Sequence, residues 1–168
     1  GNPYPSGLDV SDFLTANSGV ISGAVYLWDD PGVTPYDAQD YATINAAGTV
    51  SNGNGTFNSG SWQGSIASGQ GFKVEALSGG GTVTFTNTMR IHDNAQFYQM
   101  SNNIARVRVN LENDDYYNET LIAFIGDATE NRDHPYDARK IIGQMALSLF
   151  SQLNGEPFAI QGFPPLTN

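Results

Sequence analysis

The chain contains no cysteine. Disulfide scaffolds, thiolate zinc sites and cysteine nucleophiles are therefore excluded. Charge is scarce as well. Only 14% of the 168 residues are charged, with 7 lysines and arginines against 17 aspartates and glutamates, for a formal net charge of −10. So acidic a chain has no electrostatic footprint for nucleic acid, and anionic lipid would repel it. No apolar run reaches the roughly 18 residues that span a bilayer as a helix. The opening GNPYPSGLDV has neither the basic start nor the apolar centre of an export signal. Gly-x-Ser-x-Gly, a phosphate loop and His-Glu-x-x-His are all missing. The acidic balance is compatible with cations and with neutral, hydrated ligands such as sugars.

What the chain does have is small polar residues, 19 glycines and 11% aromatics. That mixture suits short strands joined by turns. One helix is expected near the start, in SGLDVSDFLTANSG, capped by Ser6 or Asp9 and stopped at Asn17 to Gly19. Strand signals follow in VISGAVYLW, YATINAAGTV, GFKVEAL (71–77), GTVTFTNTMRI (81–91), ARVRVNLE (105–112) and TLIAFIG (120–126). In ARVRVNLE, Val107, Val109 and Leu111 alternate with Arg106, Arg108 and Asn110, which marks a strand with one wet face, expected on the arginine side. Asn154-Gly155 between two apolar runs is the strongest short hairpin signal in the chain. The expected fold is all-β, an antiparallel, jelly-roll-like β-sandwich with one short N-terminal helix, in a single domain over 1–168. The abrupt ends are those expected of a module excised from a longer protein.

The segment least like its surroundings is GDATENRDHPYDARK, where Asp127, Glu130, Asp133, His134 and Asp137 fall within eleven residues. Hard cations take six to eight oxygens from loops, so Asp127, Glu130, Asp133 and Asp137 are candidate ligands for a structural calcium ion. The spacing is not that of an EF-hand. The competing reading is a loop whose aspartates accept nearby backbone N–H groups and pair with Arg132 or Arg139. His134, alone before a proline, is expected to be solvated. A second acidic stretch, WDDPGVTPYDAQDY (28–41), offers Asp29, Asp30, Asp37 and Asp40 as a rival cation loop, against the reading of solvated acids around a Pro-rich turn, and ENDDYYNE (112–119) reads most simply as a charged hairpin tip.

GNPYPSGLD, SGAVYLWD, GQGFKVEA, TVTFTNTMR, TLIAFIGDAT, PYDARK and FAIQGFPPL occur in that order from Gly1 to about Leu166. Together they resemble the β-sandwich module of large secreted and surface proteins of the Bacteroidetes, commonly next to a type IX secretion sorting domain. The resemblance implies an exported, extracellular or outer-surface, non-catalytic module and brings no catalytic residues with it. Asn-Pro-Tyr-Pro-Ser itself reads as scaffold, its prolines fixing an extended approach to the first helix.

Sugars are held by aromatic faces flanked by polar groups. Trp62, alone among glycine, serine, asparagine and glutamine, is the first candidate, with Tyr36, Tyr41, Tyr116 and Tyr117 in expected loops. A loop tryptophan folded over the sandwich edge is the competing reading. Trp28 and Tyr26 lie within a strand and are expected to pack. The sequence thus points to a carbohydrate-binding or adhesive module, with polysaccharide or surface glycan as partner. The alternatives are a structural spacer between a functional region and an anchor, and, weakly, a small glycoside hydrolase, which would need two paired carboxylates across a cleft.

Overall fold

A computed structural model describes residues 1–29, 41–51, 64–91, 104–114, 117–143 and 147–166. In chain order its strands are β1 (Gly7–Asp9), β2 (Ile21–Trp28), β3 (Tyr41–Asn45), β4 (Gly48–Val50), β5 (Ser65–Ile66), β6 (Lys73–Ala76), β7 (Arg90–Ile91), β8 (Ala105–Glu112), β9 (Tyr117–Phe124), β10 (Ala138–Arg139), β11 (Ser151–Leu153) and β12 (Glu156–Phe163). One helix, α1 (Val10–Ala16), follows β1. The strands form three sheets: β5-β1-β7, β4-β3-β2-β6, and β10-β12-β9-β8 with β11 beside β12. The chain is an all-β sandwich with one short helix.

The layering explains why β2 carries no polar face. Ile21, Val25 and Leu27 turn toward α1 and join a cluster with Leu8, Phe13 and Ile44. Ala24 and Tyr26 turn the other way, against Leu121, Ala123 and Ile160 of β9 and β12. A strand enclosed between two layers reads as a continuous apolar run. Helix α1 forms where expected. Asp9 accepts the backbone N–H of Asp12 at 2.9 Å as N-cap, and Phe13 and Leu14 are buried. The Asn154-Gly155 hairpin also forms, with φ of 52° and 84° at the two turn residues and β11 paired to β12.

Three expectations are corrected. Residues 81–86 carry strand composition but join no ladder. The side chain of Asn17 takes the place of a neighbouring strand, donating to the Thr84 carbonyl at 3.0 Å and accepting the Thr84 N–H at 2.7 Å. One pair in the sandwich is parallel, β9 with β12 in register Leu121↔Ile160; the chain between them is long enough for the crossover that a parallel pair needs. Most consequentially, β8 has two wet faces, and its apolar side is one of them. Arg106 and Arg108 reach the carbonyls of Ala47 and Thr49, both at 2.7 Å, while Val107, Val109 and Leu111 are 48%, 41% and 41% exposed.

Lys140 is a half-buried cation. Lys140 donates to the Oδ1 of fully buried Asn118 at 2.8 Å, and burial lowers its ammonium from 10.5 to about 8, against the smaller opposing pull of Glu119. The folded chain therefore releases this proton at lower pH than the unfolded chain. Its contribution to stability is present above the unfolded value and lost as pH falls through about 8. Urea unfolding should show stability rising by about 1–2 kcal/mol from pH 8 to roughly 9.5, a rise that Lys140→Gln should abolish. A flat profile in the parent chain would refute this.

Candidate functional site

An aromatic surface lies at the Trp28–Tyr41 end of the β2/β3/β6 sheet. Trp28 ends β2 and Tyr41 begins β3, and the two are cross-strand partners. Their rings meet edge to face, with centroids 5.0 Å apart at 76°. Lys73, on the other side of β2, sets its Nζ 4.2 Å from the centre of the Tyr41 ring. Gln70, Gly71 and Phe72 complete a groove of about 310 Å³ with these three. Trp28 is 44% exposed although its seven predecessors in the strand are all buried.

The opening Asn-Pro-Tyr-Pro-Ser supports this groove from below. The Asn2 side chain is buried and donates to the carbonyls of Ser6, Ile66 and Ala67 at 2.8, 3.0 and 3.2 Å. Its backbone N–H bonds the Gln70 carbonyl at 3.0 Å, and the Ser68 hydroxyl donates to the Tyr4 carbonyl at 2.7 Å. The motif is scaffold, as read, but scaffold for the 67–72 segment that forms one wall. Gln70 in turn accepts the Ala67 N–H through Oε1 at 3.1 Å. Phe72 ties the wall to the core by packing edge-on against Phe13, centroids 5.4 Å apart.

The other aromatic candidates separate from this group. Trp62, Tyr36 and Tyr116 lie outside the described residues. Tyr117 is the first residue of β9, not a loop residue. Its hydroxyl donates to Glu119 Oε2 at 2.9 Å, and burial together with that carboxylate pushes its pKa up to about 12. Glu119 is also ion-paired to Arg108. Tyr117 therefore serves a polar cluster with Glu119 and Arg108, and of the two described aromatics named from the sequence Tyr41 lies in the groove. Trp28 was assigned to packing. Its signal was positional: it is the last residue of the strand, directly before Asp-Asp-Pro-Gly in the sequence.

The acidic loop resolves into two functions. Asp137 is buried, and its carboxylate accepts the N–H of Asp133 at 2.6 Å and of Gly162 at 2.8 Å. Burial, with a smaller push from Asp133, raises its pKa despite those two bonds. Asp133 in turn accepts the Thr129 N–H at 2.5 Å. Arg132 and Arg139 each reach both Glu75 and Glu156, at 2.5–3.7 Å, in a four-membered ion-pair ring. Asp127 and Glu130 are exposed. Among the described residues no three His, Asp or Glu side chains converge as a metal ion would require. In the other acidic stretch Asp29 is buried, and Asp30, Asp37 and Asp40 lie outside the described residues.

His134 is half-buried instead of solvated. Its carbonyl accepts the Gly23 N–H at 3.0 Å, and its Nδ1 is enclosed without a partner. It borders a second cavity, of about 670 Å³, between α1, β2, the β3–β4 turn and Pro135. Asn45, also in this wall, uses Oδ1 to accept the N–H groups of Ala47 and Gly48, at 2.9 and 3.2 Å, and leaves Nδ2 buried and unpaired. Asp9 and Asp12 add carboxylates to the same cavity, whose other walls include Leu14, Ile21 and Ile44.

These features define an all-β sandwich with an aromatic groove at one sheet end and a polar loop bonded into its core. The chain belongs to the family of the domain of unknown function DUF8693, whose model matches residues 1–166. No curated protein and no solved structure matches it.

Proposed function

We propose that this chain is a carbohydrate-binding module of a secreted, cell-surface bacterial protein, holding polysaccharide or surface glycan without altering it. The observation that carries this reading is the exposed Trp28 set edge-on to Tyr41, with Lys73 and Gln70 beside them. An indole face takes the C–H face of a pyranose while nearby donors bond its hydroxyls. Lys73 is such a donor. Gln70, whose Oε1 is spent on Ala67, keeps its NH₂ end for the same purpose. A shallow groove on a sheet end suits an extended chain of sugars better than a single small molecule. The export and surface location proposed here rest on the resemblance of the whole sequence to Bacteroidetes modules.

The test is a glycan array with insoluble-polysaccharide pull-down, comparing the parent chain with Trp28→Ala and, separately, Trp62→Ala. Trp28 is exposed, so its truncation should spare the fold while weakening binding at least about tenfold, roughly 1.4 kcal/mol. Undiminished binding by Trp28→Ala would remove the groove from consideration. Failure of the parent chain to bind any glycan would leave a structural spacer. A structural calcium ion at the 127–137 loop belongs to the same proposal, and a chelator arm tests it. A melting temperature lower by several degrees in chelator would support an ion on the loop. No change would leave the loop to its own backbone bonds and ion pairs.

A further inference from the structure

Strand β8 ends the five-stranded sheet, and among the described residues its one ladder neighbour is β9. All eight of its residues are exposed. Proteins blunt such edges with proline, lysine, bulges or short strands, because a row of unpaired N–H and C=O groups is a template for another strand. Of these devices, proline, lysine, a bulge and shortness are absent: ARVRVNLE is eight residues long with its register to β9 unbroken from Ala105 to Glu112, and its charges, Arg106, Arg108 and Glu112, all lie on one face and leave the other apolar. Both of its faces meet solvent, and one of them is wholly apolar over 107–111. Its arginines are drawn to Ala47, Thr49 and Glu119, which leaves Val107, Val109 and Leu111 as a stripe in solvent. Such a stripe makes sense where it is continued by another chain.

We propose that β8 pairs antiparallel with β8 of a second copy of this chain, about a twofold axis at Val109. In that register Val109 faces Val109, Val107 faces Leu111, Arg108 faces Asn110, and Arg106 of each copy faces Glu112 of the other. Every apolar residue meets an apolar one, and no like charges oppose each other. Neighbouring registers do worse. A slip of one residue sets the valines opposite arginine or asparagine. A slip of two in one direction sets Arg108 against Arg108, and in the other direction it shortens the aligned stretch from residues 106–112 to 108–112. The location also suits the charge of the chain. Each copy has a net charge of −10, yet two of its 7 basic residues stand in this strand, which makes it one of the less repulsive surfaces to bring together. The product is one continuous sheet through two sandwiches, with six apolar side chains in a row.

Sedimentation of the intact chain over micromolar to millimolar concentration, at about 0.15 M salt where long-range repulsion is screened, should show a monomer–dimer equilibrium. Val109→Lys, at an exposed position that tolerates charge, should weaken the dimer at least about tenfold by setting lysine against lysine. Arg106→Glu should weaken it similarly, and the double variant Arg106→Glu/Glu112→Arg should restore it, since the swap recreates the facing pair. Because the chain has no cysteine, single thiols report the register directly. Val109→Cys should be joined between copies by a short bis-thiol reagent. Val107→Cys should not, because two residues 107 would lie four residues apart along the ladder, roughly 13 Å. A monomer throughout the range overturns the proposal. So does a dimer indifferent to Val109→Lys, or efficient crosslinking at 107 instead of 109.

Discussion

Replacing Asp137 by alanine should cost the fold about 3–5 kcal/mol, because a buried backbone N–H, that of Gly162, and a part-buried one, that of Asp133, lose a charged acceptor at once. For a chain of this length that is a fall in melting temperature of about 8–15 °C. The two donors come from different parts of the structure. Asp133 belongs to the 126–137 loop and Gly162 to β12, so a single carboxylate ties the loop to the central parallel pair. Little room exists for rearrangement. A Cβ at Gly162 would lie 2.6 Å from the Cβ of Tyr136, which shows how closely the loop backbone approaches the strand. Asp137→Asn should be milder, since its amide oxygen keeps one N–H while its NH₂ group opposes the other. Urea unfolding of both variants at pH 7 measures the difference. A loss below about 1 kcal/mol for alanine would mean that water replaces the carboxylate and that the loop is not held as described.

Gly23→Ala is the second large effect. An alanine Cβ at this position would stand 2.4 Å from the His134 carbonyl oxygen and 2.6 Å from the Pro135 Cα. Both obstacles are backbone atoms, which cannot swing aside as a side chain would. The loop would have to withdraw, breaking the Gly23–His134 hydrogen bond and opening the wall of the 670 Å³ cavity that His134 and Pro135 form. The expected loss is about 2–4 kcal/mol, combining overpacking with a broken buried bond. It should be accompanied by faster proteolysis within residues 126–137. Unchanged stability would show that β2 and the loop are not in contact. Gly23→Ala and Asp137→Ala act on the same short stretch, residues 133–137, so their effects should not be additive.

The segment GDATENRDHPYDARK offered both a cation site and a self-bonded polar loop when read as sequence. Composition could not choose between them, because aspartate serves either purpose with the same oxygens. The choice depends on what approaches those oxygens. Gly162 lies 25 residues away along the chain, and no local pattern reports that it arrives there. The same holds for the ion-pair ring, whose members Glu75, Arg132, Arg139 and Glu156 come from three separate segments. Capping by Asp9 and the turn at Asn154-Gly155 were legible because each involves neighbours within three or four residues.

The aromatic site divides in the same way. Trp28 and Tyr41 become partners through strand pairing across residues 29–40, and exposure separates Trp28 from the buried run before it. Alternation assigned it to a strand correctly and to packing wrongly. Loop position drew attention to Tyr117, yet that residue starts β9 and bonds Glu119.

By itself the sequence determined the all-β class, the capped helix, the position of most strands and the hairpin turn, since period-two alternation and turn chemistry are properties of neighbouring residues. Only the tertiary structure decided which face of each strand meets water. Alternation in β8 distinguishes the arginine face from the valine face but does not say which lies against another layer. In the folded chain the carbonyls of Ala47 and Thr49 take up the arginines while both faces stay exposed, so the apolar residues are left in solvent.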